Sequence, residues 1–214
     1  KLIQKMNANK RKEIFFLLRK TIPNPKTELS YASPFQLLIA VILSAQATDI
    51  SVNKATKRLF QVAGSANELS NLPLEKIESY IKTIGLYRNK AKNIKLTSKI
   101  IDEKFLGKVP HDRATLESFP GVGRKTANVL LNTIFGDPVI GVDTHIFRLA
   151  NRINIATGKN PLEVEKKLTR LVPKDFLIDA HNLLILHGRY ICKAQNPMCS
   201  TCVIIEHCEF KQKT

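Results

Sequence analysis

The stretch Phe119-Pro120-Gly121-Val122-Gly123-Arg124-Lys125-Thr126-Ala127 constrains this chain more than any other. Pro120 disfavours helix at Phe119, because its ring crowds the preceding residue. Gly121 and Gly123 can adopt positive φ and let a second backbone come close. Beyond Gly123 an apolar helical pattern begins, with Ala127, Leu130, Leu131 and Ile134. The reading is helix, two-glycine hairpin, helix. Such a hairpin aims successive N–H groups and a helix N-terminus at one point, which suits a phosphate oxygen.

Lys125 falls in the first turn of the second helix. The positive end of the helix dipole opposes a further positive charge there, and partial burial works in the same direction. A lysine held neutral is a nucleophile for carbonyl-like carbon. The plainer alternative is a surface lysine that touches phosphate. Eighteen residues on stands Asp143, followed by Thr144, His145, Ile146, Leu149, Ala150 and Ile153. That pattern makes Asp143 a natural N-cap. Capping does not exclude chemistry, since a fixed carboxylate can take a proton or steady a sugar cation.

The chain has 214 residues, with 34 Lys and Arg against 18 Asp and Glu, a formal charge of +16. That excess points to a polyanionic partner, first of all nucleic acid. No apolar run approaches the roughly 20 residues of a membrane helix, and no secretory signal is visible. The chain starts at Lys1, which leaves room for a short trimmed leader.

Helix punctuation is clear along the chain. Residues 1–22 read as a basic amphipathic helix with Ile14, Leu17 and Leu18 on one face, stopped by Pro23 and Pro25. Ser33-Pro34 reads as N-cap and first helical position of a nearly all-apolar helix from Phe35 to about Ala45. A polar group, Ser44 to Asp49 with Gln46 inside it, closes that helix by capping or by facing a ligand. Residues 51–62, 74–84, 90–105 and 114–119 read as further helices. Gly85-Leu86-Tyr87 is a break whose leucine either folds back as a core plug or, in a DNA-binding protein, wedges between bases. Gly136-Asp137-Pro138 ends the second hairpin helix. Asn160-Pro161, with Glu163, opens another, and Asp179 to Tyr190 is the last long one. Val139 to Val142 is too short to build a sheet. The chain reads as all-α, with about ten helices and no internal repeat.

All four cysteines lie in the last 23 residues: Cys192, Cys199, Cys202 and Cys208, spaced C-x6-C-x2-C-x5-C. Without a secretion signal, this crowding argues for a metal rather than disulfides. Four thiolates suit zinc or an iron–sulfur cluster. A single C-x2-C pair, where zinc sites often show two, leans towards iron–sulfur.

Three segments together carry a family resemblance: Leu116 to Ala127, Val142-Asp143-Thr144-His145, and the four-cysteine tail. With Leu43 to Asp49 and Ile84 to Tyr87, they closely resemble the helix-hairpin-helix DNA glycosylases that carry an iron–sulfur cluster, from about Lys10 to Phe210. The resemblance implies a bifunctional DNA glycosylase and abasic-site lyase of base excision repair, acting on oxidised pyrimidines. It implies Lys125 as nucleophile and Asp143 as the essential carboxylate. It implies two helical domains with a DNA groove between them: a six-helix unit at 27–137, and residues 1–26 joined to 138–214. The second would hold a [4Fe-4S] cluster on Cys192, Cys199, Cys202 and Cys208. Gln46 would fill the gap left by an extruded nucleotide and Leu86 would wedge the opposite strand. Gly121, Val122, Gly123, Arg124 and His145 complete the expected DNA-binding set.

The expected partner is double-stranded DNA with damaged bases or abasic sites, bound by a monomer in the bacterial cytoplasm at the nucleoid, with no membrane contact. In the family the first cluster loop tends to be basic. Here Lys193 to Met198 carries a single charge, so either that loop contributes less to phosphate contact or Arg189, Lys193 and Lys211 take its part. Two alternatives stand beside this reading. A monofunctional adenine-mismatch relative would lack the lysine at position 125 and carry a further C-terminal domain. A non-enzymatic DNA-binding or redox module would use the same charge, hairpin and cluster without chemistry.

Overall fold

In a computed structural model, which describes residues 6–212, the chain is all-helical. It has eleven α-helices and three 3-10 turns, with no strand among the described residues. The first five residues of the expected N-terminal helix lie outside the described residues. The chain divides into two compact units. One is Glu28–Phe135; the other takes the chain up to Thr27 and from Gly136 onward.

The Glu28–Phe135 unit holds α2 (Pro34–Leu43), α3 (Asp49–Val62), α4 (Ala66–Asn71), α5 (Leu74–Ile81), α6 (Tyr87–Phe105), α7 (Arg113–Glu117) and α8 (Arg124–Phe135). Ser33 caps α2 through a bond from Gln36 N, and Pro34 sits in the first turn, where its missing N–H costs nothing. Phe35 and every residue from Leu37 to Leu43 are buried. A helix apolar all round must be central, and α2 packs against α3, α6 and α8.

Several elements differ from the sequence reading: α5 ends at Ile81 rather than at 84, and α11 begins at Leu177 rather than Asp179. The six-residue α4 was not expected, although Ser65 and Glu68 form a full capping box at its start. Helix α6 begins at Tyr87, not Lys90, because Leu86 adopts a left-handed conformation and becomes its N-cap.

The other unit holds α1 (Ala8–Thr21), α9 (Thr144–Arg152), α10 (Pro161–Leu171) and α11 (Leu177–Tyr190). Helix α1 buries Ile14, Phe15 and Leu18, while Leu17 is only half-buried. Phe15 packs on Phe176, ring centroids 5.8 Å apart, and α1 lies against α11. Lys10 on α1 pairs with Glu209 at 3.2 Å, and Asn154 donates to the same carboxylate. These bonds tie the first helix to the tail that carries the cysteines.

Candidate nucleic-acid site and metal centre

The hairpin is built as its residue types demand. Gly121 has φ +82°, a conformation other residues adopt only at a cost. A Cβ at Gly121 would stand 3.0 Å from Asn93 Nδ2 and 3.1 Å from Ile42 Cγ2, so the turn rests directly on α6 and α2. Thr97, one turn further along α6, donates from Oγ1 to the Pro120 carbonyl at 3.3 Å. Val122 points inward, 6 % exposed, while the backbone of Gly121 and Gly123 is exposed. The Gly123 carbonyl accepts the first helical bond, from Ala127 N at 2.9 Å. Arg124 and Lys125 therefore open α8, with first-turn N–H groups that make no bond inside the helix. Arg124 is exposed and stands 4.0 Å from Glu117, and Lys125 is half-buried.

Asp143 caps α9. Its Oδ1 accepts from Ile146 N at 2.8 Å, and the residue is half-buried. His145 lies in the first turn of α9, its Nδ1 3.4 Å from Arg148 Nη2. Helix α11 approaches α9 closely here: a Cβ on Gly188 would stand 3.1 Å from the His145 carbonyl oxygen. A side chain at 188 would push the Asp143 helix aside.

Gln46 and Leu86 are each exposed in their own turn, with φ +54° and +61°. Leu86 is 62 % exposed, so it does not fold back as a core plug. A bulky residue held in the left-handed region and presented to solvent is a costly arrangement, of order 1–3 kcal/mol, of the kind that gathers at functional sites.

Lys90 did not stand out in the sequence. It lies on the α6 face that carries Asn93 and Thr97, is 5 % exposed, and its Nζ has no hydrogen-bond partner. Burial pushes its amine below the ordinary value of 10.5. The folded chain then holds this proton less tightly than the unfolded chain. The cost is complete below the folded value and fades as pH rises towards 10.5. Lys90→Met, which keeps the apolar stem and removes the amine, should therefore stabilise the protein by about 1–2 kcal/mol near neutral pH. The gain should narrow in alkaline buffer; thermal denaturation of both proteins across that range checks it. A destabilised Lys90→Met protein at neutral pH would mean that the amine is satisfied after all.

The four cysteines are free thiols and line one cavity with Ile153, His187, Ile204 and Phe210. Cys202 Sγ lies 3.6 Å from His187 Nε2. Burial lowers His187 to about 4, so this ring is neutral at physiological pH. Burial raises the Cys202 thiol, and the neighbouring Cys208, Cys192 and Cys199 raise it further. Four mutually repelling thiolates need a positively charged centre among them, so the donor set fits a metal group. A single zinc ion would draw all four sulfurs to about 2.3 Å from one point. Among the described residues no three His, Cys, Asp or Glu side chains are grouped to hold one ion, and the thiols line the walls of a cavity instead. Arg148 and Arg152 of α9, also missed in the sequence, reach the first cysteine. Arg148 donates to the Cys192 carbonyl from Nη2 at 2.9 Å and from Nε at 3.1 Å.

Among the described residues, no helix is long and apolar enough to cross a membrane.

Residues 39–174 match the family described as HhH-GPD superfamily base excision DNA repair protein. The chain is 57 % identical over 208 residues to Endonuclease III of Escherichia coli (strain K12), covering 97 % of this chain and 99 % of that one. Its identity to Endonuclease III of Haemophilus influenzae is 56 % over 208 residues, with the same coverage of 97 % and 99 %. Its fold superposes with a TM-score of 0.89 on a trapped Endonuclease III–DNA covalent intermediate, at 43 % identity and with 95 % and 96 % of the two chains covered.

Proposed function

The chain belongs to the HhH-GPD superfamily of base excision DNA repair proteins, and on that premise we propose that it is a bifunctional DNA glycosylase and abasic-site lyase acting on oxidised pyrimidines in duplex DNA. The observation that carries this reading is the hairpin from Gly121 to Lys125, which sets a half-buried primary amine in the first turn of α8, directly after a tight glycine turn. A basic DNA-binding module has no need of an amine so placed.

A base stacked in a duplex shields its own sugar carbon. The nucleotide must leave the stack, at a cost of a few kcal/mol. Gln46 and Leu86, held outward in strained turns, offset that cost by occupying the gap and parting the opposite strand. The amides at Gly121 and Gly123 and the N-terminus of α8 bind a backbone phosphate, with Arg124 adding charge. His145 contributes a further DNA contact.

The Lys125 amine attacks C1′ and the damaged base departs with the glycosidic electron pair, taking up a proton. The nitrogen then loses one proton, the C1′–O4′ bond breaks with the ring oxygen taking up a proton, and the opened sugar is left as a protonated Schiff base. Removal of a C2′ proton then sends electrons towards the iminium and expels the 3′ phosphate, which cuts the strand 3′ to the lesion. Asp143, fixed by its cap bond, steadies the cationic sugar or moves a proton.

Cys192, Cys199, Cys202 and Cys208 hold a [4Fe-4S] cluster, which orders the tail and takes no chemical step in this scheme. One chain carries all the proposed groups, so a monomer suffices. The substrate places its work at the bacterial chromosome, in the cytoplasm.

The test is a labelled duplex with one abasic site or one thymine glycol. The strand should be cut 3′ to the lesion, and borohydride should capture a covalent protein–DNA complex. Tight binding that leaves every strand intact would replace the enzyme with a binding module. Salt dependence alone cannot separate the two, because both bind through phosphates.

A further inference from the structure

Arg152 engages both ends of the cysteine-bearing tail. It lies in the last turn of α9, two turns beyond the Asp143 cap. Its Nη1 donates to Cys192 Sγ at 3.7 Å and also to the Lys193 carbonyl. Its Nη2 donates to the Ala194 carbonyl at 2.8 Å. Its guanidinium carbon sits 5.0 Å from the centre of the Phe210 ring, two residues after the last cysteine. One planar cation therefore touches the first thiol, the backbone that leaves it, and the aromatic ring that closes the tail.

We infer that Arg152 is a positioning residue for the iron–sulfur cluster, holding Cys192 in place and setting the cluster's reduction potential through the N–H···S bond. The inference rests on the cluster proposed above. Three physical arguments support it. A guanidinium can bond the sulfur and two carbonyls at once because its donors form a rigid fork, which lysine lacks. A cation donating to a ligand sulfur favours the more negative, reduced state, so its loss should lower the potential. The loop itself supplies little charge, since Lys193 is its single ionised side chain, and so the cation nearest the sulfur comes from α9.

The test uses the full chain as purified. Iron and acid-labile sulfide are measured first: a colourless protein holding zinc ends the cluster reading itself, whatever Arg152 does. In the brown protein, Arg152→Gln and Arg152→Lys are compared with wild type by voltammetry and by the rate of iron loss to a chelator. Both variants should lose iron at least about tenfold faster, the usual penalty for removing an outer-shell partner. Arg152→Gln should also show a more negative potential, whereas Arg152→Lys, which keeps the charge, should recover most of that shift. A wild-type potential in Arg152→Gln overturns the inference even if iron is lost faster, because a merely structural clamp would not touch the potential. If Arg152→Gln fails to fold, a wild-type rate of iron loss in Arg152→Lys overturns it instead.

Discussion

Lys125→Ala should abolish borohydride trapping and lower strand cleavage at an abasic site by about 10³-fold or more, the scale of losing a covalent nucleophile. The fold gives little reason for collateral damage. Position 125 is in the first turn of α8, where alanine is a good helix former, and the side chain is only half-buried. Helix α8 is anchored beyond its first turn, where every residue from Ala127 to Asn132 is buried. Stability should move by no more than about 0.5 kcal/mol. DNA affinity should fall modestly, because one positive charge among many is lost and the salt slope drops by about one. Binding and chemistry thus separate in this variant. Gel-shift titration and single-turnover cleavage measure them independently. Trapping equal to wild type would remove Lys125 from the mechanism and return it to the role of a phosphate contact.

Asp143→Asn carries the second large effect, and it divides a structural role from a chemical one. The Asp143 carboxylate accepts from Ile146 N at 2.8 Å as the N-cap of α9. Asparagine caps as well as aspartate does, so that bond survives the change. What is lost is the ionised oxygen, with a helix-dipole penalty of about 0.3–1 kcal/mol. Asp143→Ala, by contrast, loses the cap bond and should cost about 1 kcal/mol of stability. If Asp143 steadies the sugar cation or moves a proton, Asp143→Asn should fold normally yet release base about 10²–10⁴-fold more slowly. Single-turnover glycosylase rates, set against thermal unfolding of both variants, check this. Wild-type rates in Asp143→Asn, with a destabilised Asp143→Ala, would leave Asp143 as a cap and nothing more.

Much of this protein is written in local chemistry. Ser33-Pro34, Asp143 and Asn160-Pro161 each start a helix in the structure, because a capping side chain and its N2 or N3 amide are neighbours in the chain. The hairpin is legible for the same reason, since proline restricts its own φ and the residue before it, while glycine permits the positive φ that a tight turn needs. The four cysteines announced a shared site by crowding alone. Helix α4 could have been found by this logic, from Ser65 and Glu68 three residues apart; it was missed because six residues show too little periodicity.

Other features had no local signal. That Leu86 is N-cap rather than core plug depends on a left-handed turn held by the packing of α6 on α4 and α5. Burial of Lys90 follows from its sharing a helix face with Asn93 and Thr97, beneath a turn some 23–30 residues away in the chain. Arg148 and Arg152 reach a cysteine about 40 residues downstream. Sequence by itself determined where helices with a capping side chain, such as α2, α9 and α10, begin and which residue types could do chemistry, because those are interactions between near neighbours. Tertiary structure alone decided which lysine is buried, which leucine is exposed and which arginine meets a thiol. Each of those is a contact between residues that only the packed helices bring together.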